Sequence, residues 1–234
     1  MKQTTKWLAA ALIALGLNQA VWADDVPDFR ETLQAAERGD AQAQFNLGAM
    51  YAKGRGVSQD YAEAVRWFRQ SAEQGDAQAQ FSLGAMYAEG RGVRQDDAEA
   101  VRWYRQAADQ GDAHAQGLLG FMYAEGRGVR QDDAEAFRWF RQSAERGLAG
   151  AQAVLGFMYA EGRGVRQDDA EAFRWYRQSA AQGDAQAQNN LGMMYYEGRG
   201  VRQDRALAQE WFGKACQNGN PKGCNNYRRL KLGY

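Results

Sequence analysis

The sequence predicts an all-α solenoid of antiparallel helical hairpins, and three observations carry that expectation. AEGRGVRQDDAEA at Ala88–Ala100 returns almost unchanged at Ala124–Ala136 and Ala160–Ala172, a spacing of 36 residues. Relatives of it begin at Ala52 (AKGRGVSQDYAEA) and Tyr196 (YEGRGVRQDRALA), making five copies in register; a period of this length marks a stacked array. Aspartates and glycines stand where helix caps belong, and the apolar stripes are too wide for one partner helix to cover.

Taken in order, residues 1–23 lie outside the array. Lys2 and Lys6 precede an apolar run from Trp7 to Leu17, and Val21-Trp22-Ala23 ends on small residues at its last and third-last positions. This reads as a secretory signal cut after Ala23, since the run is shorter than the roughly 20 residues that span a bilayer. Removing it takes away two lysines and no acid, leaving 27 basic against 29 acidic residues. The signs are interleaved, so neither a nucleic-acid surface nor an acidic tail is indicated. No later stretch is apolar enough to cross a membrane, and 211 residues fit one continuous array.

Residues 24–39 align with the second helix of a hairpin only and read as an N-terminal capping helix. Five repeats follow, at 40–75, 76–111, 112–147, 148–183 and 184–219. In the second copy Asp76 opens helix A, expected from Ala77 to Glu89, which stops at Gly90-Arg91-Gly92. Asp96 caps helix B, and Glu99 three residues later is expected to complete a capping box. Helix B runs on to Gly111, and neither helix contains proline.

On helix A of this copy Ala79, Leu83 and Met86 form one apolar line and Ala77, Gly84 and Tyr87 another; on helix B Ala100, Trp103 and Ala107 lie beside Val101, Tyr104 and Ala108. Each hairpin therefore needs neighbours on both sides. Trp67, Trp103, Trp139, Trp175 and Trp211 share one repeat position and read as packing. Gly48, Gly84, Gly120, Gly156 and Gly192 mark places where two helices approach too closely for a side chain. Residues 220–234 align with helix A but carry Arg228, Arg229 and Lys231, as suits a capping helix whose outer face meets water. The total is twelve helices.

Cys216 and Cys224 are the two cysteines, eight apart across one tight turn. In an exported chain such a pair reads as a disulfide, and without a neighbouring histidine it is half a metal-ligand set.

The pattern A-x-x-x-L-G-x-M-Y-A-E-G-R-G-V-x-Q-D, then A before R-W-[FY]-R and a closing A-x-x-G, as in Ala79 to Gly111, resembles Sel1-like repeats, relatives of the tetratricopeptide repeats. The resemblance covers residues 40–219. It implies a right-handed superhelix of hairpins that binds other proteins, with helix A lining the concave side. The single cysteine pair resembles the secreted cysteine-rich branch of these proteins. That branch has been linked to penicillin binding and β-lactam hydrolysis, so a weak β-lactam-directed hydrolase of the cell envelope stands as the alternative.

No catalytic constellation accompanies the resemblance. His114 is the only histidine, and its counterparts are Gln42, Gln78, Gly150 and Gln186. The serines Ser58, Ser71, Ser82, Ser143 and Ser179 show neither S-x-x-K nor G-x-S-x-G. The Gly-rich turn lacks the spacing of a phosphate loop, and Asp96 already occupies the helix N-terminus.

A stripe on helix A does change from copy to copy, at offsets 0, 4, 7 and 11, which share one helix face. It reads Gln42, Asn46, Ala49, Lys53; Gln78, Ser82, Ala85, Glu89; His114, Leu118, Phe121, Glu125; Gly150, Val154, Phe157, Glu161; and Gln186, Asn190, Met193, Glu197. Leu118, Phe121, Val154 and Phe157 are expected either to hold apolar side chains of a partner or to fill the curvature of the middle repeats. Asn46, Ser82 and Asn190 are expected to meet the partner's backbone. The expectation is thus a monomeric, periplasmic or secreted scaffold that binds a protein or peptide in a concave groove, without a cofactor, a metal or nucleic acid.

Overall fold

The computed structural model describes residues 28–233, so the signal-peptide expectation for residues 1–23 lies outside the described residues. Among the described residues there are twelve helices and no strand. They are α1 (Phe29–Glu37), α2 (Ala41–Lys53), α3 (Tyr61–Glu73), α4 (Ala77–Glu89), α5 (Asp97–Asp109), α6 (Ala113–Glu125), α7 (Asp133–Glu145), α8 (Ala149–Glu161), α9 (Asp169–Ala181), α10 (Ala185–Glu197), α11 (Arg205–Gln217) and α12 (Pro221–Lys231). Even-numbered helices up to α10 are the A helices and the odd ones from α3 the B helices. None is long and apolar enough to cross a membrane.

Caps set these bounds. Eleven of the twelve helices begin on an Asp or Asn side chain that accepts a backbone N–H from the first turn; α8 begins on Leu148, with no side-chain cap. The capping box expected at Asp96 is only half present. Its carboxylate accepts from Ala98 and Glu99 N–H at 2.9 and 3.0 Å, but its own N–H goes to Tyr87 O at 3.0 Å. Glu99, released from that duty, pairs with Arg102 at 2.9 Å. The returning chain already satisfies the donor that a capping box exists to satisfy.

The helices group into two compact units, one ending at Gln131 and one starting at Asp132. The division separates α6 from α7, the two helices of the third repeat. Contacts in a stacked array run only between neighbours, so no single core spans the chain. In the unit containing α1–α6, each helix packs on the next. Leu47, Leu83 and Leu119 are fully buried there, and Trp67 and Trp103 nearly so. In the unit containing α7–α12, Leu155 and Leu191 are fully buried, while Trp139, Trp175 and Trp211 are only half-buried.

The close approaches read from glycine are present. A Cβ on Gly84 would stand 2.7 Å from Cδ1 of Tyr104, and one on Gly156 2.8 Å from Cδ1 of Tyr176. Gly48 faces Phe68 and Gly192 faces Phe212 in the same way.

Two polar devices join consecutive repeats. A buried glutamine on each A helix donates to the helix before it, as Gln80 Nε2 does to Ala72 O at 3.1 Å, and in four of the five copies its oxygen accepts from the next turn, as Gln80 Oε1 does from Gln110 Nε2 at 2.8 Å. In the second unit Gln152 and Gln182, and Gln188 and Asn218, repeat the arrangement. The second device is an ion pair between loops and helices. Arg127 reaches Asp97, Arg163 reaches Asp133 and Arg199 reaches Asp169, each at 2.7 Å. The doubled aspartate therefore divides its labour: the first caps helix B, and the second fastens the arginine of the next G-R-G turn.

Candidate functional site

Helices whose buried face is fixed by packing leave the opposite positions free to differ. The expected stripe lies partly on those positions and partly in the packed face, and each unit carries its own part. In the first unit Gln42 and Gln78 are exposed; Asn46, Ala49, Ser82, Ala85, His114 and Phe121 are half-buried. Leu118 is 8% exposed and belongs to the floor rather than the surface. Gln42 Nε2 donates to Asn46 Oδ1 at 3.3 Å, and the His114 ring meets Phe81 edge-on at 6.2 Å.

In the second unit Gly150 and Val154 are buried, whereas Phe157, Gln186, Asn190 and Met193 are half-buried. Phe157 packs against the cluster of Ala172, Tyr176, Leu191 and Met194. Gln186 takes a hydrogen bond from Asn220 at 3.2 Å and passes one to Asn190 Oδ1 at 3.0 Å. Asn190 also interacts with the Tyr176 side chain. Its oxygen is thus engaged within the chain.

The second unit adds a residue that the sequence reading passed over. Asn226 of α12 stands 36 residues after Asn190, and Arg229 stands 36 after Met193, so the stripe runs on into the capping helix. Asn226 Nδ2 donates to Asn189 Oδ1 at 3.0 Å and reaches Met193 Sδ at 3.7 Å. Carrying the repeat arithmetic past the last full copy would have found both.

Buried phenols supply the main electrostatic departures. Burial pushes the hydroxyl pKa of Tyr104 well above the ordinary tyrosine range; nearby Glu89 and Asp97 add to the rise and Arg127 opposes it. Tyr176 is raised by the same burial, partly relieved by its bond with Asn190. Both are held as neutral hydroxyls, with no role for a phenolate near neutral pH.

Ser71 and Ser179 are fully buried and donate to Ala41 O at 2.8 Å and Ala149 O at 2.9 Å, so their hydroxyls serve the stacking of hairpins. Among the described residues no group of three or more His, Cys, Asp or Glu side chains converges as a metal site. Cys216 and Cys224 form the expected disulfide, with Cα atoms 4.4 Å apart, and join α11 to α12.

Comparisons with known proteins agree with this geometry. The Sel1 repeat model matches five times, at residues 41–76, 77–112, 113–148, 149–184 and 185–220. Among solved structures, the chain is similar to a protective antigen present in uropathogenic Escherichia coli strains and displaying an SLR fold. The identity is 38% over 99% of this chain and 51% of that one, with a TM-score of 0.86; this chain therefore spans about half the length of that relative. It is also similar to a Sel1 repeat protein from Oxalobacter formigenes, at 32% identity over 87% of each chain and a TM-score of 0.74. Among curated proteins none matches.

Proposed function

Because the chain belongs to the Sel1 repeat family, whose members generally serve as protein–protein interaction scaffolds, we propose that it is exported and holds a peptide or protein partner against its variable A-helix faces. Those faces would line the groove that the resemblance implies. The observation that carries the reading is the state of Phe121 and Phe157. Each is a large aromatic left half-buried on a variable position, where other copies manage with Ala49, Ala85 or Met193. Phe140 and Phe212, at positions that do not vary in this way, are buried. Partly open aromatic rings on a preformed surface are typical anchors for a partner's side chains.

Export is supported by residues 1–23 and by the disulfide, which persists in oxidising compartments. The test is photo-crosslinking in the native cell, with a benzophenone amino acid at position 121 or 157 and, as control, at the exposed Arg130. Adducts to one protein from 121 and 157 but not from 130 are expected. Equal labelling from all three, or none from the two stripe positions, sinks the reading. Purified protein incubated with nitrocefin tests the β-lactam alternative; no turnover above background is expected.

A further inference from the structure

The end of the second unit holds a hollow whose chemistry is narrower than that of a general docking face. It has a volume of about 90 Å³ and is lined by Met193 and Tyr196 of α10, Phe212 of α11, and Asn226, Arg229 and Leu230 of α12. Met193, Phe212 and Leu230 make its apolar part, and Phe212 is itself 2% exposed and rigidly placed against Gly192. The volume is smaller than the roughly 150 Å³ that admits a benzene ring, so the hollow suits a small aliphatic group.

Its polar part has unused capacity. The amide nitrogen of Asn226 is engaged by Asn189 and Met193, which fixes the carboxamide and leaves its oxygen as an acceptor. Among the described residues the Arg229 guanidinium makes no ion pair and no hydrogen bond, in contrast to Arg127, Arg163 and Arg199. No acid occurs from Trp211 to Tyr234, whereas Lys214, Lys222, Arg228, Arg229 and Lys231 do. An anion arriving here meets a fork-shaped cation that has nothing else to bind.

We propose that this hollow takes the C-terminal end of a protein partner whose last residue is small and aliphatic, such as valine. The α-carboxylate pairs with Arg229, the last peptide N–H donates to Asn226 Oδ1, and the aliphatic side chain rests on Met193, Phe212 and Leu230. An internal Asp or Glu supplies a carboxylate without the apolar branch beside it, so a chain end fits both halves of the hollow and an internal residue only one. The inference rests on the reading of the A-helix stripe as partner-binding, because Asn226 and Arg229 continue that stripe.

The test is a methyl-resonance titration of the oxidised protein with N-acetyl-Ala-Gly-Val bearing a free carboxylate, and with the same tripeptide amidated. The free acid is expected to shift the Met193 and Leu230 methyls saturably, with a Kd near or below about 1 mM, and the amide to bind at least tenfold more weakly. R229Q, at an exposed position where circular dichroism should not change, is expected to abolish the discrimination between acid and amide. Equal binding of acid and amide, discrimination surviving in R229Q, or no saturable shift overturns the proposal. If these fail while crosslinking at 121 and 157 succeeds, the end-on mode alone is wrong; if both fail, the partner reading falls with it.

Discussion

Arg127 and Asp97, 30 residues apart in sequence, meet in a two-pronged pair, with Nη2 2.7 Å from Oδ1 and Nε 3.1 Å from Oδ2. The pair links the G-R-G turn after one A helix to the first residue of the preceding B helix. Asp133 and Asp169 repeat it with Arg163 and Arg199. In the first repeat Tyr61 replaces the aspartate, and Arg91 lies over its ring at 5.8 Å. In the last repeat Arg205 stands at the same position.

Arg127→Ala should therefore lower stability by about 0.5–1 kcal/mol, the range of a partly exposed but bidentate pair. Arg130→Ala, three residues along the same turn and without a partner among the described residues, should change it by less than about 0.5 kcal/mol. Urea unfolding of the two variants checks this, and a coupling near zero in the Asp97→Ala/Arg127→Ala cycle would argue that the pair is incidental. The difference should shrink at high salt.

Gly84→Ala sets two effects against each other. Helix propensity favours alanine by about 1 kcal/mol, while the new methyl would stand 2.7 Å from the Tyr104 ring, and overpacking of this kind costs about 1–3 kcal/mol. The clash should win, giving a net loss on the order of 1 kcal/mol in thermal or urea unfolding. Adding Tyr104→Leu should recover part of it; a stabilised single variant would contradict the close-approach account.

At Leu148 the helix N-cap is empty of a side-chain acceptor, although its backbone has the same extended geometry as Asp112 and Asp184. Leu148→Asp should stabilise the second unit by up to about 1 kcal/mol, less whatever the half-buried leucine contributes by burial. Slower amide exchange in the first turn of α8 is the direct measurement, and unchanged exchange there would show that the cap is satisfied in another way.

Alkaline pH should act through Tyr104 and Tyr176. Their folded pKa values are raised by burial above the unfolded value of about 10. Their contribution is thus full below about pH 10 and is lost as pH rises further, because the unfolded chain releases protons that the folded one retains. Tyr104→Phe with Tyr176→Phe should blunt the loss of stability above pH 10, since Phe68, Phe140 and Phe212 already serve at this repeat position. Phenolate absorbance followed beside circular dichroism checks it; ionisation of both phenols before unfolding would refute the burial argument.

Reduction of Cys216–Cys224 should loosen α12 first. Closing so short a loop is worth about 2–3 kcal/mol, and the bond joins only α11 to α12. Hydrogen exchange should rise in α12 and stay unchanged in α8, whereas a uniform rise would mean that the bridge supports the unit as a whole.

Much of this architecture was legible because each signal occurs five times. The bounds of α4, the close approach at Gly84 and the packing role of Trp103 follow from caps, glycine and periodicity within single copies. What escaped was chemistry between copies. The arginine that Asp97 binds lies in the next turn, 30 residues away, and the partners of the buried Gln80, Ala72 and Gln110, sit on neighbouring hairpins, so neither role shows within one copy. Asn226 and Arg229 were missed for the opposite reason: α12 was read as an ending, where the repeat position carries on. The stripe itself was found by variation, but variation alone did not separate the buried Leu118 and Val154 from the half-open Phe121 and Phe157.

The Arg–Asp pair also bears on how such a chain can change length. Since the contact spans the boundary between copies, and its two halves recur in every interior copy, duplicating or deleting one 36-residue block regenerates the same junction on each side. The chain is therefore modular in its seams, and a gained or lost block needs no compensating substitution at the junction. Tyr61 and Arg205 mark where that freedom stops, because a junction made at either of them lacks the carboxylate half of the pair.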